Sequence, residues 1–156
     1  MPLKAGDKAP LFTLYSDKQE KVSLTDYRGR RLVVLFFPLA FTNVCTEEMC
    51  TMRDTITEYN DLNTSVVGIS VDSPFTLAKF REMEQLNFPL LSDFNKEVSR
   101  QYGALYDTFA LGMQGVSKRA AFVIDEEGVI RYAEVLESAG DQPDYSAIRT
   151  TLGGLS

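Results

Sequence analysis

The stretch Leu35 to Asp54, LFFPLAFTNVCTEEMCTMRD, decides how the chain folds. It opens with the tail of a continuous apolar run, Leu32 to Phe37, of strand length and with no polar residue to mark a solvent face, which is the pattern of a strand buried on both sides. Pro38 has no N–H to give a ladder and ends that strand. Beyond it Cys45, Met49, Met52, Ile56 and Tyr59 recur at spacings of four and three, so one stripe of a helix faces a core while its other sides are polar. A buried strand therefore gives way to an amphipathic helix, and Cys45 stands where the helix begins.

The same patterns repeat outward. Val66 to Val71 and Ala120 to Ile124 are further apolar runs of strand length. Ser73 caps a second helix with Pro74 in its first turn and Leu77, Phe80 and Met83 as its apolar positions, ending near Asn87. Pro89 to Ser92 predicts a short strand, and Lys96 to Tyr102 a brief helix closed by Gly103. Ala120 to Asp125 and Val129 to Leu136 flank Glu126, Glu127 and Gly128, which predicts an antiparallel hairpin. Asp144 to Leu152 is a terminal helix, and the first thirty residues are an N-terminal extension with short strands. This order implies an α/β chain of the thioredoxin-like fold, a mixed central sheet with helices on both faces, in one domain over residues 1–156. No internal repeat, linker or low-complexity tract interrupts it.

Composition narrows the function. Of 156 residues 44% are hydrophobic and 24% charged, a profile with room for one core, and the net charge of -6 lacks the Lys/Arg clusters that nucleic acid or an anionic membrane require. No run approaches the roughly 18 apolar residues of a membrane span. The opening MPLKAGDKAP has no apolar stretch behind its basic residues, so a cytoplasmic location is expected. In that reducing compartment two cysteines are more often catalytic, redox-active or core residues than a structural disulfide. The chain has no histidine, which excludes Ser-His-Asp and Cys-His catalysis, and two thiols are too few for an ordinary structural zinc site. No cofactor or metal is called for. Any activated nucleophile must be activated by something other than imidazole.

Position supplies that activation. Free N–H groups and the dipole at a helix start favour an anion, so a thiolate at Cys45 is favoured over the thiol. With Thr42 as the cap, Cys45 takes the third helical position, within plausible reach of the Thr42 hydroxyl. Pro38 is placed to shield the sulfur. Strand-ending prolines and capping threonines are common, and neither alone indicates a site.

Together, Pro38, Thr42 and Cys45 read P-x-x-x-T-x-x-C at a strand-to-helix junction, and on this motif the chain resembles the peroxiredoxins. FPLLSDF at Phe88 to Phe94, QYG at Gln101 to Gly103 and KRAAFVIDEEGVIRYAE at Lys118 to Glu134 extend the likeness over nearly the whole chain. The segment FPLAFT is similar to the alkyl hydroperoxide reductase E-like group. The resemblance implies a thiol-dependent peroxidase, an antioxidant oxidoreductase in which Cys45 attacks a hydroperoxide and becomes a sulfenic acid. It places Arg119 beside the sulfur, where its permanent charge favours the thiolate. Without it, Arg119 reads as a surface ion pair. Glu48, one turn after Cys45, carries a charge that opposes the thiolate, and the resemblance pairs it with Arg119. Glu47, Lys118 and Arg131 read as ordinary surface charges.

Cys50 departs from that group and resembles instead the Q-type, or bacterioferritin comigratory protein, peroxiredoxins, in many of which a thiol five residues downstream resolves the sulfenic acid as an intramolecular disulfide. A tolerated thiol is the alternative. Residues five apart on a helix are about 140° apart around the axis and about 8 to 9 Å apart at Cα. A disulfide accepts no more than about 7 Å, so the linkage requires the first turns to unwind. Cys50 shares a helix face with Arg53, Asp54 and Thr57 and is expected to be accessible to a reductant. The resemblance implies thioredoxin, a glutaredoxin-like protein or a small thiol in that role. It leaves homodimer and monomer both open, and the preferred peroxide unspecified. Phe37, Phe41 and the loop Leu105 to Gln114, with Phe109, Leu111 and Met113, fit an apolar collar or plain core. A thioredoxin-type oxidoreductase wants C-x-x-C rather than C-x-x-x-x-C, and a non-enzymatic binding or holdase module would leave both cysteines incidental.

Overall fold

A computed structural model describes residues 3–155. In chain order the strands are β1 (Thr13–Ser16), β2 (Lys21–Ser23), β3 (Arg31–Phe36), β4 (Thr64–Ser70), β5 (Leu90–Ser92), β6 (Leu105–Tyr106), β7 (Val116–Ser117), β8 (Arg119–Ile124) and β9 (Ile130–Leu136). The helices are α1 (Asn43–Asn60), α2 (Pro74–Glu84), α3 (Glu97–Gln101) and α4 (Tyr145–Gly153). Seven strands form one sheet in the order β2-β1-β5-β4-β3-β8-β9, and β6 pairs with β7 in a separate ribbon.

The central run behaves as its composition requires. Every residue of β3 is buried, and strand alternation divides the run between two cores: Val33, Leu35 and Phe37 on one side, Leu32, Val34 and Phe36 on the other. Strands β3, β4 and β5 are parallel, with α1 and α2 as the crossovers. The hairpin β8–β9 adds antiparallel to β3 in the register Val34↔Phe122, and β1 adds antiparallel to β5, so the sheet is mixed. Asp125 fixes the hairpin turn by accepting from the Glu127 and Val129 N–H groups and from Arg131 Nε.

Helices α1, α2 and α4 cover the first face through Met49, Met52, Leu77, Phe80, Ile148 and Leu152. The second face carries only α3 among the four α-helices, and much of its cover is the N-terminal extension: Ala9, Phe12 and Leu24 pack there with Val98 and Tyr102. The Tyr102 ring lies tilted 5.4 Å from Phe36 and edge-on 5.2 Å from Phe122, and its hydroxyl donates to the Pro10 carbonyl at 2.7 Å. Truncating a ring such as Phe122 to alanine costs about 3–5 kcal/mol in a core of this kind. Helix α1 lies close on β4: a Cβ at Gly68 would come within 3.4 Å of Met49 Sδ and 2.8 Å of Leu90 Cδ2, so only glycine lets the helix settle one turn beyond Cys45.

Some boundaries differ from the sequence reading. Helix α2 stops at Glu84, short of Asn87, because Gln85 turns left-handed (φ 53°, ψ 44°) and sends Leu86 into the core, where Arg81 Nε holds its carbonyl. Met83 lies outside the buried stripe at 60% exposure. Residues 105–114 are not simply a loop: they include β6 and a short 3-10 turn, Ala110–Gly112, on which Leu111 is 96% exposed. Phe37 is core, 6.0 Å from the Phe80 ring, and takes no part in a collar. Among the described residues no helix is long and apolar enough to cross a membrane.

Candidate active site

The carboxyl ends of the three parallel strands converge on one residue, Asp72. Its Oδ2 accepts from the Ala40 N–H in the loop after β3 (2.8 Å) and from Ser70 Oγ at the end of β4 (2.7 Å), and its carbonyl accepts from Ser92 Oγ at the end of β5 (2.7 Å). The crevice at strand carboxyl ends is where α/β folds place ligands. Pro38 is buried in the clamped loop, and the next turn is reached through Phe41, whose φ of 69° is left-handed. A non-glycine residue holds such a conformation at a cost on the order of 1–3 kcal/mol. The Phe41 ring, edge-on to Phe80 at 5.1 Å, helps to hold it.

Thr42 is the N-cap of α1, yet it does not cap as its type suggests. Its carbonyl accepts from the Thr46 N–H (2.9 Å), whereas its hydroxyl turns back and donates to the Leu39 carbonyl (2.8 Å). The hydroxyl proton is thus committed to the loop, and what Thr42 keeps free is an acceptor.

Cys45 is the third residue of α1 and is 1% exposed. Arg119, the first residue of β8, is equally buried and reaches three partners: Nη2 donates to Cys45 Sγ at 3.3 Å and to the Ala139 carbonyl at 2.9 Å, and Nη1 to Glu48 Oε1 at 2.6 Å. The surface ion pair considered for Arg119 is therefore overturned. Glu48 is wholly buried with Oε2 unpartnered among the described residues. Burial pushes its carboxyl up to about 7; the Arg119 charge and hydrogen bond pull it down without offsetting this, and Glu134 adds to the rise. A proton shared with Glu48 near neutrality relieves the opposition between its charge and a thiolate one turn away. For Arg119, desolvation is outweighed by Glu48 and Cys45, so its charge is held.

The segment after β9 covers this cluster. It supplies the Ala139 carbonyl, Gln142 Nε2 donates to Glu47 Oε2 at 3.3 Å, and Lys118 pairs with Glu137 at 2.9 Å while lying 5.7 Å from the Tyr106 ring centroid. Arg131, paired with Asp125, is the exposed surface charge the sequence suggests, whereas Lys118 is half-buried in its pair with Glu137.

Cys50 lies on the polar side of an unbroken α1, but it is half-buried rather than open. Its thiol points at Glu84 Oε2 at 3.6 Å on the last residue of α2. Burial pushes the thiol up, Arg53 opposes this, and Glu84 adds to it. Both cysteines are free thiols. Three participants went unread in the sequence: the Ala139 carbonyl, which has no side-chain mark, Glu84, and Asp72. Only Asp72 carried a signal, as an acidic residue where a parallel strand hands over to a capped helix.

The profile of the AhpC/TSA family matches residues 5–133. The chain belongs to the AhpC/TSA family. Within it, a putative peroxiredoxin of Mycobacterium tuberculosis is 46% identical over 85% of both chains, and peroxiredoxin Bcp of Escherichia coli is 42% identical over 84% of this chain and 85% of its own. The crystal structure of the peroxidoxin BcpB from Mycobacterium tuberculosis superposes with a TM-score of 0.87 at 31% identity and covers 99% of each chain. The AhpC/TSA assignment makes the protein a peroxiredoxin, an oxidoreductase of thiol-dependent peroxidase class with a thioredoxin-like fold. The Bcp relatives agree with the Q-type side of the sequence resemblance.

Proposed function

We propose that the protein reduces hydrogen peroxide and organic hydroperoxides with the Cys45 thiolate, that Cys50 resolves the product, and that a thioredoxin-type dithiol regenerates the enzyme in a reducing cytoplasm. The observation that carries this is the 3.3 Å contact of Arg119 Nη2 with Cys45 Sγ at the start of α1. A cation beside a sulfur at the positive end of a helix dipole favours its anion. Sulfur attacks one peroxide oxygen in line, the O–O bond breaks, and the other oxygen leaves with the electron pair and is protonated to water or an alcohol. Charge passes from sulfur to the leaving oxygen, and a guanidinium already fixed beside the sulfur stabilises that transferring charge without reorganising. The Thr42 hydroxyl is suited to accept the hydrogen bond of a hydroperoxide O–H, since its own proton is engaged by Leu39.

The sulfenic acid on Cys45 then condenses with Cys50, giving a disulfide and water. With α1 continuous from Asn43 to Asn60, that step needs the first turns to unwind. The test is steady-state turnover with thioredoxin and its reductase, wild type against Cys50→Ser, with mass spectrometry after one equivalent of peroxide. Loss of thioredoxin-dependent turnover in the variant and a Cys45–Cys50 disulfide in the wild type are expected. Sulfenic acid on Cys45 that never gives the linked pair means a one-cysteine cycle.

A further inference from the structure

Cys50 is held by its neighbours in a way that the reaction with peroxide does not use. Glu84 Oε2 accepts from its thiol at 3.6 Å. The same residue's carbonyl accepts from Arg53 Nη1 at 2.6 Å, and Asn87 Nδ2 donates to the Arg53 carbonyl at 3.2 Å. These contacts fasten α1, around residue 53, to the end of α2. The first turn of α1 is held differently: Thr42 and Asn43 are exposed and the Thr42 hydroxyl does not cap the helix, so it depends on side-chain contacts, Arg119 with Cys45 and Glu48 and Gln142 with Glu47. Oxidation alters the very sulfur that Arg119 holds, so the unwinding that joins the two thiols starts at the Cys45 end, and Cys45 travels to a Cys50 docked against Glu84.

We propose, on the reading that Cys50 resolves the sulfenic acid, that Glu84 is the general base of that step. The balance is complete without a further reagent. Cys50 Sγ gives an electron pair to Cys45 Sγ, the thiol proton passes to Glu84 Oε2, the Cys45 S–O bond breaks, and the oxygen leaves as hydroxide, which takes up the proton that Glu84 has accepted and departs as water. The environment calls for such a base: burial and the Glu84 charge push the Cys50 thiol above its ordinary value, so near neutral pH it is a protonated thiol and a poor nucleophile until its proton is drawn off. The carboxylate that suppresses premature ionisation is the group placed to accept the proton when the sulfenic acid arrives.

The experiment is a single turnover of the full chain with one equivalent of peroxide, quenched with acid, alkylated and read by mass spectrometry, since the protein has no tryptophan to report it. Glu84→Gln keeps the shape and the backbone carbonyl that Arg53 uses but removes the base. Sulfenic acid formation on Cys45 is expected at the wild-type rate, followed by disulfide formation slowed about 100-fold. The wild-type resolution rate is expected to be nearly flat across the neutral range, and that of Glu84→Gln to climb about tenfold per pH unit, in proportion to hydroxide. Glu84→Asp, which keeps a carboxylate, is expected to recover the flat profile. Wild-type resolution in Glu84→Gln overturns the assignment. So does a slower rate with an unaltered pH profile, which would mean that Glu84 only docks the thiol. If the wild type itself forms no Cys45–Cys50 disulfide, the two-cysteine cycle fails, and with it the base.

Discussion

Two thiols stand five residues apart on α1 and live in opposite fields. Cys45 is shut away from solvent and faces a guanidinium at 3.3 Å; Cys50 is half-buried and faces a carboxylate at 3.6 Å. The helix contributes to this difference, since its dipole and free N–H groups act within the first turn and have faded by Cys50. The larger part comes from elsewhere in the chain: Arg119 at the head of β8 and Glu84 at the foot of α2. One helix can thus carry a nucleophile kept ready and a second kept in reserve, because the sheet and the neighbouring helix bring them different counter-charges. The pairing also shows why a cysteine count alone does not assign roles.

The contrast is tested hardest at Cys45. Cys45→Ser is expected to drop peroxide consumption to background, a loss of about 10^4-fold or more, as when other enzymes lose their nucleophile. It should still fold, because serine replaces a small buried group without disturbing the Met49 and Gly68 contact. Turnover by Cys50 in that variant, followed by peroxide loss under excess dithiol, would show that the two environments do not separate the thiols.

Next is the cation. Arg119→Met keeps the bulk of a buried side chain and removes the charge at Cys45 Sγ, so kcat/KM for peroxide is expected to fall about 10^2- to 10^3-fold, the size of losing one preorganised donor. Arg119→Lys retains charge but not the fork that serves Cys45, Glu48 and Ala139 together, and its rate should lie between the two. Equal rates for Lys, Met and Arg would remove electrostatics from the account of Cys45.

Much of this is legible in the amino-acid sequence. The run Leu32 to Phe37 and the stripe from Cys45 to Tyr59 are periodic signals, and periodicity follows burial directly; both elements lie within a residue or two of where they were read. The hairpin after Ala120 followed from Gly128 and its flanking strands. The cluster of Cys45, Glu48 and Arg119 was assembled from family likeness, because no local pattern tells a buried arginine from a surface one. What escaped the sequence is what tertiary packing decides. Gln85 ends α2 by a left-handed turn that glutamine does not advertise, and that early stop leaves Glu84 beside Cys50. Thr42 looked like a capping hydroxyl and became a loop donor because the Leu39 carbonyl competes for its proton. Asp72 ties three strand ends that are distant in the chain, a relation visible only once the sheet order is known.

The smallest effect concerns the acid that shares Arg119 with Cys45, and it is one of stability rather than rate. In the folded protein burial pushes the Glu48 carboxyl up to about 7, against an ordinary value of 4.5. Between those two pH values the native state holds a proton that the unfolded chain has released. Its contribution to stability is therefore full below about pH 4.5 and is lost as the pH climbs through about 7. Glu48→Gln cannot titrate, yet its amide oxygen still accepts from Arg119 Nη1, so the difference in unfolding free energy, wild type minus variant, is expected to decline from pH 4.5 to 7 and then level. Urea unfolding at intervals across that range measures it, and peroxidase activity in the variant should change little beside the loss in Arg119→Met. A difference that stays flat, or rises with pH, would mean that Glu48 is held as a carboxylate throughout. The Arg119 charge would then be divided between two anions, and the distinction between the two thiols would have to rest on the helix start and on Glu84 beside Cys50.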